Sequence, residues 1–287
     1  MKTCVTTYSF NQYLRETKST PYQICDIAKG FGFDGIEFVD LYNENWGWTE
    51  DKLTLAKKLG EYCRTIDLPV VAYCVGANLL ADDIDDQIAR LKENVDVASL
   101  LGAPVMRHDV AYAKRDIEGY DYHSAIDEIA PIVREITEYA QSKGVKTCSE
   151  NHGFFFQAPE TVESLIKAVN HPNYGWLCDI GNFMCADANP LTSTVIASKY
   201  AFHCHAKDFH YTPKTEEKPE NAITTTDGNY IVGAILGEGV VPVATCLTVL
   251  KKAGYDGYVT VEFEGREDSV TGVKKGLRFL KNIIAEQ

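Results

Sequence analysis

The sequence predicts an α/β fold, a closed (β/α)8 TIM barrel in a single domain, on three observations. Eight short β-branched or aromatic runs alternate with eight amphipathic stretches along 287 residues. The repeat averages roughly 36 residues, the spacing of barrel units. No Gly-rich phosphate loop follows the first run, where SFNQYLRETKST stands instead. That absence disfavours a doubly wound open sheet, which is built from the same units.

Strands are expected at 3–8, 35–39, 69–74, 104–107, 145–150, 175–179, 201–207 and 257–263. Their Val, Ile, Tyr, Phe and Thr content suits a pleated, half-buried surface. Helices are expected at 21–30, 51–66, 83–101, 123–143, 159–170, 190–199, 242–253 and 268–285, one after each strand. Thr20-Pro21 places a cap residue before a proline suited to a first helical turn. Gly32, Gly102, Gly144 and Gly254 follow helical patterns where a residue tolerating positive φ is wanted. The seventh and eighth strands begin 56 residues apart, against 26 to 41 for the other neighbours. The excess, 209–239, reads as a long irregular excursion from the C-terminal end of strand seven, the end on which barrels carry function. It is expected to cover the barrel mouth or to reach another copy in a homo-oligomer; a solvated ornament is the alternative.

A chain that is 45% apolar and 24% charged is composed as a globular protein, not as a disordered or collagenous one. The formal net charge of −13 repels phosphate backbones and anionic lipid heads, so nucleic acid and membrane surfaces are not expected partners. No run of ~18 apolar residues is present to span a bilayer, and MKTCVTTYSF lacks the apolar stretch of a signal peptide. Nine cysteines, an odd number with no CxxC pair, read as buried free thiols, and a cytoplasmic location follows as the expectation.

Each of the last four strands ends in a potential metal ligand: Glu150 in CSENHG, Asp179 in CDIGN, His205 in FHCHAKD and Glu262 in VTVEFEG. In a closed barrel those ends converge. Strand parity agrees, because Phe202, Cys204 and Ala206 form an apolar set suited to pack under helices and leave His203, His205 and Lys207 for the interior. Likewise Val259, Val261 and Phe263 leave Tyr258, Thr260 and Glu262 facing inward. Three carboxylates with one imidazole suit Mn²⁺ or Mg²⁺ and accept Co²⁺ or Zn²⁺. Any single acid of this set could equally be a salt-bridging strand end; it is the set of four that argues for one divalent ion.

The same face offers Glu37 at the end of strand two, Arg107 and His108 closing strand four, His152 and Lys207 two residues past their ligands, and Asn182. Arg107 is a candidate for a substrate phosphate or carboxylate, and His203 for substrate contact or for hydrogen-bond support of the ligands. Trp46 and Trp48 in NENWGW read as a wall against a sugar ring or as packing within their own loop.

GFDGIEFVD at 32–40, SENHG at 149–153, CDIGN at 178–182, HCHAKDFH at 203–210, GEG at 237–239 and VEFEG at 261–265 together resemble the xylose-isomerase-like TIM-barrel superfamily of sugar phosphate isomerases and epimerases. This group includes ketose 3-epimerases, inosose dehydratases, hydroxypyruvate isomerases and endonuclease IV. The resemblance implies metal ligands at Glu150, Asp179, His205 and Glu262, and implies that Glu150 and Glu262 move protons as base and acid. Many epimerase-branch members carry a histidine where this chain has Asn182, which can bond a hydroxyl but cannot shuttle a proton at neutral pH. The endonuclease branch needs three zinc ions and a basic surface, which seven histidines and the net charge do not supply. The expected activity is a divalent-metal-dependent sugar or polyol isomerase or epimerase working through an enediolate. The alternatives are a lyase of the inosose-dehydratase type and a non-catalytic barrel subunit, the latter disfavoured because all four ligands are present.

Overall fold

The computed structural model describes residues 1–41 and 50–286. Eight parallel strands close into a barrel: β1 (Lys2–Thr6), β2 (Gly35–Val39), β3 (Val70–Val75), β4 (Val105–His108), β5 (Lys146–Glu150), β6 (Tyr174–Asp179), β7 (Ala201–Ala206) and β11 (Tyr258–Val261). Around the ring the order is β1-β11-β7-β6-β5-β4-β3-β2. The helices are α1 (Asn11–Thr17), α2 (Pro21–Phe31), α3 (Lys52–Thr65), α4 (Ile84–Leu101), α5 (Tyr122–Ser142), α6 (Pro159–Val169), α7 (Pro190–Ala197), α8 (Val243–Lys252) and α9 (Ser269–Glu286). Among the described residues no helix is long and apolar enough to cross a membrane.

The punctuation acts as its chemistry dictates. Thr20 Oγ1 accepts from the Gln23 amide while Gln23 Oε1 accepts from the Thr20 amide, a reciprocal cap with Pro21 in the first turn of α2. Gly32 ends that helix at φ 87°, a conformation costly for a residue with a Cβ. All nine cysteines are free and buried. Cys74 and Cys148 pack with Ala72, Val105 and Leu177 as a floor of small apolar side chains inside the barrel.

Three features differ from the sequence expectation. An additional helix, α1, precedes α2, so β1 is followed by two helices. The segment after β7 is ordered rather than irregular: β8 (Asp208–Thr212), β10 (Tyr230–Ala234) and β9 (Ile223–Thr224) form an antiparallel sheet in the order β8-β10-β9. Gly233 of β10 pairs with Gly265, just past β11, and a Cβ on Gly233 would fall 2.3 Å from the Glu264 carbonyl oxygen. Only glycine lets the two backbones meet there.

Phe202 is the third. It packs against the interior floor instead of the helices, because the β6–β7 register slips between Trp176↔Ala201 and Leu177↔His203. The extra residue breaks the alternation, as a bulge does. Gly175 on β6 makes room, since a Cβ there would lie 2.7 Å from the Phe202 ring. The bulge sits below the histidines, so His203 and His205 keep their inward parity.

Candidate metal centre

Glu150 and Asp179 end β5 and β6, His205 lies one residue from the end of β7, and Glu262 immediately follows β11. One ligand atom from each lies within 4.8 Å of the others. His205 Nδ1 is 3.3 Å from Glu262 Oε2, 3.9 Å from Asp179 Oδ2 and 4.0 Å from Glu150 Oε1. All four side chains are buried. Of their atoms, Asp179 Oδ2 and His205 Nδ1 have no hydrogen-bond partner, while Glu262 Oε2 and Glu150 Oε2 meet the Lys207 and Arg107 cations at 2.8 and 3.0 Å. Buried polar atoms are normally satisfied, so a convergent set of them fits a cation in chemistry and in placement.

A second atom of Asp179, Glu150 and His205 is also held. Asp179 Oδ1 accepts from the Gly181 and Asn182 amides at 2.8 and 2.9 Å. Glu150 Oε1 accepts from Asn182 Nδ2 at 2.9 Å, and its Oε2 lies 3.0 Å from Arg107 Nε. His205 Nε2 meets Glu37 Oε2 at 2.9 Å, which orients the ring and leaves Nδ1 toward the carboxylates. Lys207 Nζ lies 2.8 Å from Glu262 Oε2, 3.5 Å from Asp179 Oδ2 and 3.2 Å from Glu264 Oε2.

Electrostatics report the crowding. Burial pushes the Asp179 carboxyl up to about 7; Lys207 pulls it down, and Glu262 and Glu150 push it up again. Burial acts the same way on Glu262, but Lys207 and His205 outweigh it and hold that carboxyl well below the ordinary range. Burial would lower His205, yet Glu37 and Glu262 raise it well above an ordinary imidazole.

The structure gathers most of the residues named from sequence and gives several of them protein partners. Glu37 is fully buried, and its Oε2 is shared between His203 Nε2 at 2.8 Å and His205 Nε2 at 2.9 Å. His203 also meets Thr260 Oγ1 at 2.9 Å. Arg107 is paired with Glu150, with Asp109 Oδ1 at 3.2 Å and with the Val75 carbonyl at 3.1 Å. His108 is a correction. It alternates with inward-facing Arg107, is fully buried beside Tyr174, and directs Nδ1 to the Asp109 carbonyl, away from the interior. Asn182 bridges Glu150 and Lys207 through Nδ2 and Oδ1. Trp46 and Trp48 lie outside the described residues.

Sequence reasoning missed Asp109, Asn151, Glu264 and Tyr8. Asp109 gathers Arg107, His152 Nδ1 at 3.0 Å and the Tyr112 hydroxyl at 3.2 Å. Asn151 ties β5 to β6 by donating to the Asp179 carbonyl and accepting from the Asp179 amide. Glu264 had a readable signal, since it keeps the parity of Glu262 two residues on.

His152 has a two-fifths exposed side chain, and Asp109 raises its imidazole to about 9 against the burial that opposes it. A raised value means the bond to Asp109 adds stability below an ordinary histidine range near 6.5 and loses it as pH rises through about 9. Histidine NMR should show His152 titrating two or more pH units above an ordinary imidazole, and Asp109→Asn should return it to 6.5 or below. Titration near 6.5 in the wild type would remove Asp109 as its partner.

Beside the ligands lies a cavity of about 600 Å³ lined by Tyr8, Phe263, Glu264 and Phe209 and walled on one side by β9 and β10. Glu264 belongs both to this cavity and to the Lys207 cluster.

The sequence model of the xylose isomerase-like TIM barrel family matches residues 25–283. No curated protein matches the chain. Among solved structures, the chain is similar to an IolI protein with a bound zinc atom, at 17% identity and TM-score 0.78 over 100% of this chain and 99% of that one. It is also similar to the probable 3-DHS dehydratase AsbF from Bacillus anthracis, at 20% identity and TM-score 0.73 over 98% and 99%. A D-tagatose 3-epimerase-like protein matches at 20% identity and TM-score 0.71 over 100% and 99%. Identities at this level speak for the fold, whereas the family match spans most of the residues that build the barrel and its centre. The chain belongs to the xylose isomerase-like TIM barrel family.

Proposed function

We propose that this chain is a divalent-metal-dependent enzyme that moves a proton at the carbon next to a carbonyl of a sugar or polyol, as an isomerase or epimerase. The observation that carries the reading is the buried set of three carboxylates and one imidazole whose ligand atoms converge within 4.8 Å of one another at the C-terminal ends of β5, β6, β7 and β11, with Asp179 Oδ2 and His205 Nδ1 left without a hydrogen-bond partner. Glu150, Asp179, His205 and Glu262 would hold the ion, with Mn²⁺ the best fit to the donor set and Mg²⁺, Co²⁺ and Zn²⁺ also accepted. When bound, it supplies the charge sink for an enediolate.

The protein's own groups do the rest. Glu150 and Glu262 enter from strands separated by two others, so they approach a substrate carbon from different directions. One takes the proton and the other returns one, each poised by its neighbours: Asn182 and Arg107 for Glu150, Lys207 and His205 for Glu262. Asp179, shorter and held through Oδ1, stays a ligand.

One observation favours a lyase as the second reading. His152 is partly exposed beside this centre and is kept protonated by Asp109, so it is placed to give a proton to a departing hydroxyl. The metal-loaded protein, incubated in deuterated water with ketoses and inososes, separates the two. Deuterium at the carbon next to the carbonyl without loss of mass supports isomerase or epimerase chemistry. A product lighter by one water moves the assignment to lyase, and no change across substrates and metals defeats the proposal.

A further inference from the structure

We propose that Lys207 competes with the divalent ion for two ligand oxygens, and that Glu264 is the positioning residue that takes the Lys207 ammonium when the ion enters. The inference rests on the functional reading above and gives that centre a built-in control of metal uptake.

Lys207 Nζ lies 2.8 Å from Glu262 Oε2 and 3.5 Å from Asp179 Oδ2. These are the oxygens that face His205 Nδ1, at 3.3 and 3.9 Å. An ammonium and a divalent cation repel each other, and water screens them little where Lys207, Asp179 and Glu262 are all buried. Arg107 differs. It meets Glu150 through Oε2, is fixed by Asp109 and the Val75 carbonyl, and leaves Glu150 Oε1 on the His205 side. Lys207 is therefore the cation that an incoming ion must displace.

A third carboxylate within reach of Nζ is Glu264, whose Oε2 lies at 3.2 Å and which is not one of the four ligands. Unlike them it is a quarter exposed and borders the 600 Å³ cavity, so its charge is partly hydrated and the ammonium has room beside it. Asn182 Oδ1, at 3.2 Å, gives Nζ a second partner outside the ligand set. With both in place, Lys207 can release Glu262 and Asp179 without becoming a buried unpaired charge, the outcome that destabilises most. The base of the side chain is fixed. A Cβ on Gly181 would fall 2.7 Å from the Lys207 carbonyl oxygen and 2.9 Å from the Lys207 Cβ, so the chain after β6 packs directly on it. Movement is left to the flexible four-carbon stem.

Calorimetric titration of the full chain with Mn²⁺ tests the competition through a double-mutant cycle. Glu264→Gln should weaken Mn²⁺ binding about tenfold or more, because the ammonium then has only Asn182 outside the ligands, and Lys207→Met should strengthen it by a similar factor. In the Lys207→Met background, Glu264→Gln should change the affinity by no more than about threefold, since no ammonium is left to hold. Glu267→Gln removes a nearby carboxylate without removing a partner of Lys207, and should stay within about twofold of wild type. Lys207→Gln takes the place of the methionine variant if that one does not fold. Crystals of the wild type grown with and without Mn²⁺ should show Nζ leaving Glu262 and Asp179 while keeping Glu264. If Glu264→Gln weakens binding equally with and without Lys207, if Lys207→Met weakens it, or if Nζ stays on Glu262 Oε2 in the loaded crystal, the inference fails. A wild type that takes up no divalent metal overturns the functional reading and this inference with it, whereas uptake without coupling between Lys207 and Glu264 overturns this inference alone.

Discussion

Glu150→Gln and Glu262→Gln should each lower turnover by about three orders of magnitude or more, at least ~4 kcal/mol of transition-state stabilisation, while leaving the barrel folded by circular dichroism. The change is nearly isosteric, so a loss of that size reports chemistry. At Glu150 both oxygens face donors, Asn182 Nδ2 at 2.9 Å and Arg107 Nε at 3.0 Å. An amide nitrogen in either position meets a donor with a donor, and the amide can neither take a proton nor neutralise Arg107. At Glu262 the amide would face Lys207 Nζ at 2.8 Å or turn away from it. Deuterium exchange into substrate separates the roles, because the variant lacking the base should lose exchange altogether. Near-normal rates in both variants would place the base elsewhere, and Lys207 and His152 would be tested next.

Much of this site was legible in the sequence because a barrel converts strand order into proximity. Residues 150, 179, 205 and 262 have no informative spacing, and they become neighbours only when each is recognised as the end of a parallel strand. The β-branched runs that mark those strands depend on local composition, so their existence could be read even where their ends could not. What the sequence withheld depended on single residues of register or on long-range pairing. His108 was credited to the interior although it follows Arg107 by one residue, and parity sends it outward. Phe202 was credited to the helices, and a bulge opposite Gly175 turned it inward. YIVGA in β10 has strand composition, but its partner β8 lies across a 17-residue gap, 213–229, and no local signal names it.

Adding Mn²⁺ should raise the melting temperature by roughly 4–5 °C at a hundredfold excess over Kd, which corresponds to about 2.7 kcal/mol for a domain of this size. The sign of the Asp179→Asn variant makes the measurement discriminating. Burial and the neighbouring carboxylates raise Asp179 to about 7 without an ion, so the folded metal-free protein holds a proton that the unfolded chain has released. Stability from this group is therefore present below the ordinary aspartate value near 3.8 and is lost as pH rises through about 7. At pH 8 the ionised carboxylate should cost the metal-free protein on the order of a few kcal/mol. Asparagine keeps an oxygen for the Gly181 and Asn182 amides and carries no charge, so Asp179→Asn should melt higher than wild type without metal and gain little when Mn²⁺ is added. His205→Ala should also lose the metal-induced rise, but it strands Glu37 without one of its two imidazole partners, so it should melt lower than wild type in every condition. Opposite signs for two variants of the same cluster are what a cation site predicts. If Asp179→Asn destabilises the metal-free protein as His205→Ala does, or still shows the full rise with Mn²⁺, the carboxylates form a self-sufficient ion-pair network with Lys207 and Arg107 and the metal assignment falls.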